Sequence, residues 1–224
     1  MKNVMFKNWT VSRAFSLLLL LGIVILNACS QRDKETPAPQ TAKVPHFDET
    51  NSVTYTWDKL PAELRNASPI VSEKSSANAR EAVSNYSYSI GPWGGGGGGY
   101  FNILPPSGSR IYAMAIRSGS YVDRLTVWYI RSDGSIYVGG DVGGNGGSYY
   151  LQFFSGNEYI YSVAGRSGKH LDRLIIYTNY KSFGYGGNGG SVFNAGVPAG
   201  YQFLGFWGRS GSLVDQIGFY VYTR

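Results

Sequence analysis

A seven-residue string that occurs three times constrains this chain more than any other feature. Arg117-Ser118-Gly119-Ser120-Tyr121-Val122-Asp123 returns as Arg166-Ser167-Gly168-Lys169-His170-Leu171-Asp172 and again as Arg209-Ser210-Gly211-Ser212-Leu213-Val214-Asp215, with Arg, Ser, Gly and Asp identical in every copy. A glycine-rich stretch precedes each one: Gly94 to Gly99, Gly143-Gly144-Asn145-Gly146-Gly147 and Gly186-Gly187-Asn188-Gly189-Gly190. The last aligned glycine and the Asp of its copy keep a constant separation, 98 to 123, 147 to 172 and 190 to 215. The copies themselves start 49 and then 43 residues apart, so the length difference falls between an Asp and the next glycine loop, where Asp133-Gly134 marks a turn. Loop and carboxylate are held in register while the connector varies.

After each Asp the apolar residues alternate with a period of two: Leu125, Val127 and Tyr129, then Leu174 and Ile176, then Ile217, Phe219 and Val221. That is the signature of a half-buried strand. Further β-like runs precede each Arg-Ser-Gly, at Ile111 to Ile116, Tyr159 to Ala164 and Tyr201 to Trp207. Units of this size cannot each hold a core alone, so three equivalent sheets should pack around a shared apolar axis. An all-β, three-sided prism with pseudo-threefold symmetry is expected, its first and last copies meeting to close it. Tyr86 to Ile90 is the candidate opening strand beside the final one.

Composition excludes much chemistry. The chain has one Cys and two His, so Cys29, His46 and His170 are too few and too scattered for a zinc site, and no disulfide can form within it; no metal or cofactor is expected. From Tyr86 onward the only carboxylates are Asp123, Asp133, Asp141, Glu158, Asp172 and Asp215, and three of these belong to separate equivalent corners, which argues against a glycosidase pair. Ser118, Ser167 and Ser210 have no repeated base to activate them. The glycine run satisfies a dinucleotide pattern at Gly94, Gly96 and Gly99 only by accident, with no helix or later acid to support it. Net charge is +6, yet Lys2, Lys7 and Arg13 sit in the leader and the remaining cations form no stripe, so no nucleic-acid partner is expected. The expectation is binding rather than catalysis. For the repeated Asp the plainer role is a turn or cap residue, for His170 a surface or packing histidine, and for Trp93, Trp128 and Trp207 ordinary sheet packing as readily as ligand stacking.

The first 28 residues have a basic start, an apolar run from Ala14 to Leu26 and a small-residue end at Ala28, the layout of an export signal. The run is shorter than a spanning helix needs. With Cys29 following at once, the segment resembles a bacterial lipoprotein signal, which implies a lipidated Cys29 and attachment to the cell envelope, expected at the outer membrane on its periplasmic or surface face; ordinary secretion is the alternative. From residue 29 to 84 the chain is polar and punctuated by Pro37, Pro39, Pro45, Pro61 and Pro69, the composition of a flexible linker with a reach of roughly 40 Å. Short helices could form around Trp57 to Asn66 and Ser72 to Val83. The folded domain is placed at 85–224.

The three Gly-x-x-x-Asp loops in register with three glycine loops resemble the jacalin-related lectins, and among these the three-site members. One such pattern alone is weak; three in register are specific. The resemblance covers the folded part and implies the β-prism I fold, built from three Greek-key-like four-stranded sheets. It also implies glycan ligands, each monosaccharide seated where a Gly-x-x-x-Asp loop meets a glycine loop. The implied sites are Gly119, Tyr121, Val122 and Asp123 with Gly147; Gly168, His170, Leu171 and Asp172 with Gly190; and Gly211, Leu213, Val214 and Asp215 with Gly98. The physics agrees, because a carboxylate is an acceptor with room for adjacent hydroxyls and glycine lets backbone amides approach a sugar ring. Because galactose-preferring members of that family usually have a cleaved chain and these loops are continuous, the resemblance implies mannose or glucose-type ligands. The six-glycine first loop, and His170 and Leu213 in place of an aromatic, predict sites of unequal affinity. A homodimer is a further expectation, and two other roles stay open: an interaction module with degenerate sugar sites, and an accessory subunit for a glycan-degrading enzyme.

Overall fold

The computed structural model describes residues 60–69 and 86–224. The export signal, Cys29 and most of the linker lie outside the described residues. Among those described, twelve strands build the body of the domain: β2 Tyr88–Gly94, β3 Gly99–Ile103, β4 Arg110–Ser118, β5 Val122–Ile130, β6 Ile136–Gly143, β7 Ser148–Phe153, β8 Ile160–Ser167, β9 Leu171–Thr178, β10 Ser182–Gly186, β11 Ser191–Gly196, β12 Tyr201–Ser210 and β13 Val214–Thr223. A four-residue helix α1, Ala62–Arg65, and a two-residue strand β1, Ser68–Pro69, precede them.

Each repeat is a four-stranded antiparallel sheet with one plan. Its two central strands form a hairpin closed by a Gly-x-x-x-Asp loop, and its two outer strands are joined by a glycine loop that arches over the end of that hairpin. The orders are β6-β5-β4-β7, β10-β9-β8-β11 and β2-β13-β12-β3. The third sheet is assembled from both ends of the domain. Tyr88 lies opposite Val221 and Gly94 opposite Gln216, while Gly99 lies opposite Ser210. The opening strand expected at Tyr86 to Ile90 is therefore β2, set two residues later and running on to the glycine loop. A single pairing, Phe203 with Ile160, joins the second and third sheets.

The inward residues of all three sheets make one core. Leu125, Val127, Tyr129, Leu174, Ile176, Ile217, Phe219 and Val221, the residues on the period-two stripe, are all fully buried there. The Tyr129 hydroxyl satisfies itself inside the core by donating to the Leu204 carbonyl at 2.7 Å.

The first sheet departs from the half-buried pattern. Thr126 and Trp128 on its outer face are each 1% exposed. A second apolar cluster accounts for this: Leu60 and Leu64 pack with Ala113, Ala115, Trp128, Tyr149 and Leu151. The Trp128 indole N–H donates to the Leu64 carbonyl at 3.2 Å, and β1 pairs in parallel with β6. Residues 60–69, which the sequence places in the linker with a helix around Trp57 to Asn66, thus dress one face of the prism. Two buried leucines contribute about 1.5–3 kcal/mol each.

Candidate functional site

Each Asp of the repeated string sits at the first turn of a central strand, one residue after a fully buried apolar anchor. Val122, Leu171 and Val214 are 0% exposed, so their side chains hold the loops to the core and only their backbone can meet a ligand. Within each loop the glycine N–H donates two residues ahead, from Gly119 to the Tyr121 carbonyl, Gly168 to His170 and Gly211 to Leu213, at 2.9–3.0 Å. The loops are therefore stiff.

The glycine loop closes on the carboxylate from the other side. A methyl group added at Gly146 would stand 2.1 Å from Asp123 Oδ1, and one at Gly147 2.7 Å from Oδ2. The second sheet repeats this with Gly189 and Gly190 at 2.3 and 2.5 Å from the Asp172 oxygens, and the third with Gly97 and Gly98 at 2.9 and 2.5 Å from those of Asp215. Gly98, Gly147 and Gly190 have φ of 61 to 63°, a backbone state that side chains resist. The pairings Asp123 with Gly147, Asp172 with Gly190 and Asp215 with Gly98 are all present, the last across the closure of the prism. Gly119, Gly168 and Gly211 border the same three corners: a methyl group added at each would stand 3.5–3.9 Å from the Cα of the paired glycine.

The repeated arginine holds this arrangement. Arg117 donates through Nε to the Gly146 carbonyl at 2.8 Å and through Nη2 to that of Gly147 at 3.0 Å. Arg166 does the same to Gly189 and Gly190 at 2.7 and 2.9 Å, and Arg209 to Gly97 and Gly98 at 2.8 and 2.7 Å. A planar guanidinium gripping two successive carbonyls fixes the peptide planes of a loop that glycine alone would leave loose. The sequence reading assigned these arginines no role, although their identity in all three copies was the signal. A further clamp serves the first site, where Arg124 donates to the Gly144 carbonyl, to Asp141 and to Asn145 Oδ1 at 2.7–2.8 Å. The third site has Gln216 and Gly96 at the positions of Arg124 and Asn145.

The three corners share one end of the prism and touch in a ring. Gly187 faces the Ser120 carbonyl, Gly95 that of Lys169 and Gly144 that of Ser212, each so closely that a methyl would stand 2.2–2.4 Å from the oxygen. Each Gly-x-x-x-Asp loop therefore leans on the glycine loop of a neighbouring site. His170 shows the consequence: its Nδ1 lies 2.7 Å from Asp215 Oδ1, and its ring meets Tyr121 edge-on at 5.5 Å. His170 has a defined partner in the third site rather than the second, where its loop belongs.

The carboxylates differ in setting. Asp172 and Asp215 are each 5% exposed, whereas Asp123 is only half-buried. Partial burial raises the Asp123 pKa above the usual carboxylate value, against the opposing pull of the Gly119 N–H and the Arg117 guanidinium. Among the described residues no group of three or more His, Cys, Asp or Glu converges as a metal site. Among the described residues the three tryptophans are engaged in packing: Trp93 stacks on Phe193 at 4.7 Å, Trp128 lies under α1, and the Trp207 ring covers Gly218.

Comparison with known proteins accords with this geometry. The family model for the jacalin-like lectin domain matches residues 90–220. Horcolin from Hordeum vulgare subsp. vulgare is 32% identical over 139 residues, 59% of this chain and 94% of horcolin. The structure of Malaysian banana lectin superposes with a TM-score of 0.56 at 31% identity, over 61% of this chain and 99% of the lectin. A mannose-binding jacalin-related lectin from Ananas comosus superposes with a TM-score of 0.55 at 30% identity, over 61% and 98% of the two chains. The chain belongs to the jacalin-like lectin family and is a carbohydrate-binding protein without enzymatic activity.

Proposed function

We propose that the chain is an envelope-anchored lectin that binds mannose or glucose-type glycans through the three corners built on Asp123, Asp172 and Asp215. The observation that carries this reading is the threefold cradle itself: a carboxylate faced by two glycines, with an arginine fixing the glycine peptides, repeated at one end of the prism. The carboxylate accepts from two adjacent sugar hydroxyls, and the missing Cβ atoms let the loop backbone close directly on that carboxylate so that both can face the ring. The mannose preference is supported by the Ananas comosus relative, which binds mannose, and by the unbroken glycine loops. Single sites of this shallow polar kind are weak, and several on one rigid end gain avidity on branched glycans. Cys29, lipidated after removal of residues 1–28, would hold the prism at the outer membrane.

The test is binding of the full chain to a panel holding mannose-rich, glucan and galactose ligands. Selective retention on mannose or glucose-type glycans is expected, with loss in a variant carrying Asp123→Ala, Asp172→Ala and Asp215→Ala that still melts cooperatively. A folded chain silent across the panel refutes the reading. For the anchor, the mass of the mature chain from membranes should include acyl groups on Cys29, and a Cys29→Ser variant should lose them.

A further inference from the structure

We infer that His170 is a specificity-determining residue of the third site: the imidazole of the second repeat occupies Asp215 Oδ1 and makes that site the weak one of the three. The inference rests on the lectin reading above and adds an inequivalence that pseudo-threefold symmetry would not suggest.

His170 Nδ1 and Asp215 Oδ1 are 2.7 Å apart, a distance typical of a charge-assisted hydrogen bond. An ionised Asp215 can only accept, so Nδ1 carries the proton. The Tyr121 ring, edge-on at 5.5 Å, packs on the imidazole from the first repeat. The corresponding position is Leu213 in the third loop, which has no polar atom to offer, and Tyr121 in the first. Among the described residues, neither Asp123 nor Asp172 has a side-chain hydrogen-bond partner, so the three carboxylates are not in the same state. A sugar entering the third corner meets an Oδ1 with one acceptor direction already taken, so it must share that oxygen with the imidazole, displace the ring or rely on Oδ2. In the first two corners no side chain among the described residues engages either oxygen. The third corner also has Gly96 and Gln216 where the first has the mutually bonded Asn145 and Arg124, so it starts without that support.

The experiment isolates the third site in the full chain with Asp123→Ala and Asp172→Ala and titrates it with methyl α-mannoside. Adding His170→Leu, the residue found at the equivalent position of the third loop, should raise affinity by about tenfold or more, the range of one hydrogen bond to a charged group. His170→Tyr, the residue of the first loop, provides a second variant already accommodated by this fold. His170→Asn, whose amide donates from the place of Nδ1, should retain the low affinity, which a merely structural role for the ring would not reproduce. Unchanged affinity with both Leu and Tyr, while the unaltered chain binds mannoside, overturns the inference alone. Failure of the unaltered chain to bind any glycan overturns the lectin reading and this inference with it.

Discussion

Gly146→Ala tests whether the space in front of Asp123 is what the glycine loop exists to provide. Gly146 has no positive φ, so alanine is not strained by the backbone there and the substitution acts through volume alone. The added methyl would stand 2.1 Å from Oδ1 and 3.0 Å from Cγ of Asp123. A carbon and an oxygen in van der Waals contact are more than 1 Å further apart, so the carboxylate must rotate away. It can do so toward solvent, because Asp123 is only half-buried, and the cost to folding should stay near 1 kcal/mol. The cost to binding is much larger. Two hydroxyl hydrogen bonds to a charged acceptor, about 1.5–3 kcal/mol each, lose their geometry together, which is a factor of a hundred or more in affinity. Gly96→Ala is the control, since a methyl there meets nothing within 4 Å and its φ is ordinary. Site-resolved titration with mannoside, read by amide shifts around Asp123, should show the first site silent in Gly146→Ala and the whole binding profile unaltered in Gly96→Ala. Retention of first-site affinity within threefold in Gly146→Ala, or an equal loss in Gly96→Ala, would refute the steric reasoning.

The raised Asp123 pKa has two consequences of opposite sense. Its carboxylate must be ionised to accept hydroxyls, so on acidification the first site should release ligand at a higher pH than an ordinary carboxylate would, seen as an early step in a pH titration of binding. For folding, a pKa raised in the native state favours the protonated form, so that stabilisation is present below the unfolded value of 3.8 and lost as pH rises through the native one; Asp123→Asn should therefore raise Tm at pH 7 while abolishing first-site binding. Leu64→Ala should cost about 2–5 kcal/mol in denaturant unfolding, because it opens a cavity beside Trp128 and Leu151. Arg166→Met should lower second-site affinity by roughly threefold to tenfold with little change in Tm, the value of one or two partly solvated hydrogen bonds, and Arg166→Lys should not restore it because an ammonium cannot fork to both carbonyls.

Much of the fold could be read from the chain because its information is local and repeated. Constant spacing between Gly147 and Asp172, or Gly190 and Asp215, forces equivalent strands and loops, and a period of two assigns Leu125, Val127 and Tyr129 to one face before any partner is known. The family resemblance, rather than the spacing, paired each Asp with the next glycine loop along the chain, with the closure at Asp215 and Gly98; that the paired loop joins the outer strands of the same sheet as its Asp is seen only in the structure. What spacing cannot encode is the outer face of a sheet. Trp128 reads as the polar-side residue of an alternating strand, and only the return of Leu60 and Leu64 over it, more than sixty residues earlier in the chain, buries it. The Arg-Ser-Gly arginines were visible as a pattern without a purpose, since the carbonyls that Arg209 grips lie at the far end of the domain and reach it only when the prism closes. The contact of His170 with Asp215 depends on something further still, the sense in which successive sheets turn about the axis. That rotation places the third residue of one loop beside the carboxylate of the next site instead of its own. Sequence periodicity determined the three corners and the loop residues hinted that they differ, while tertiary packing decided how, because hydrogen bonds between repeats follow distance in space and not position along the chain.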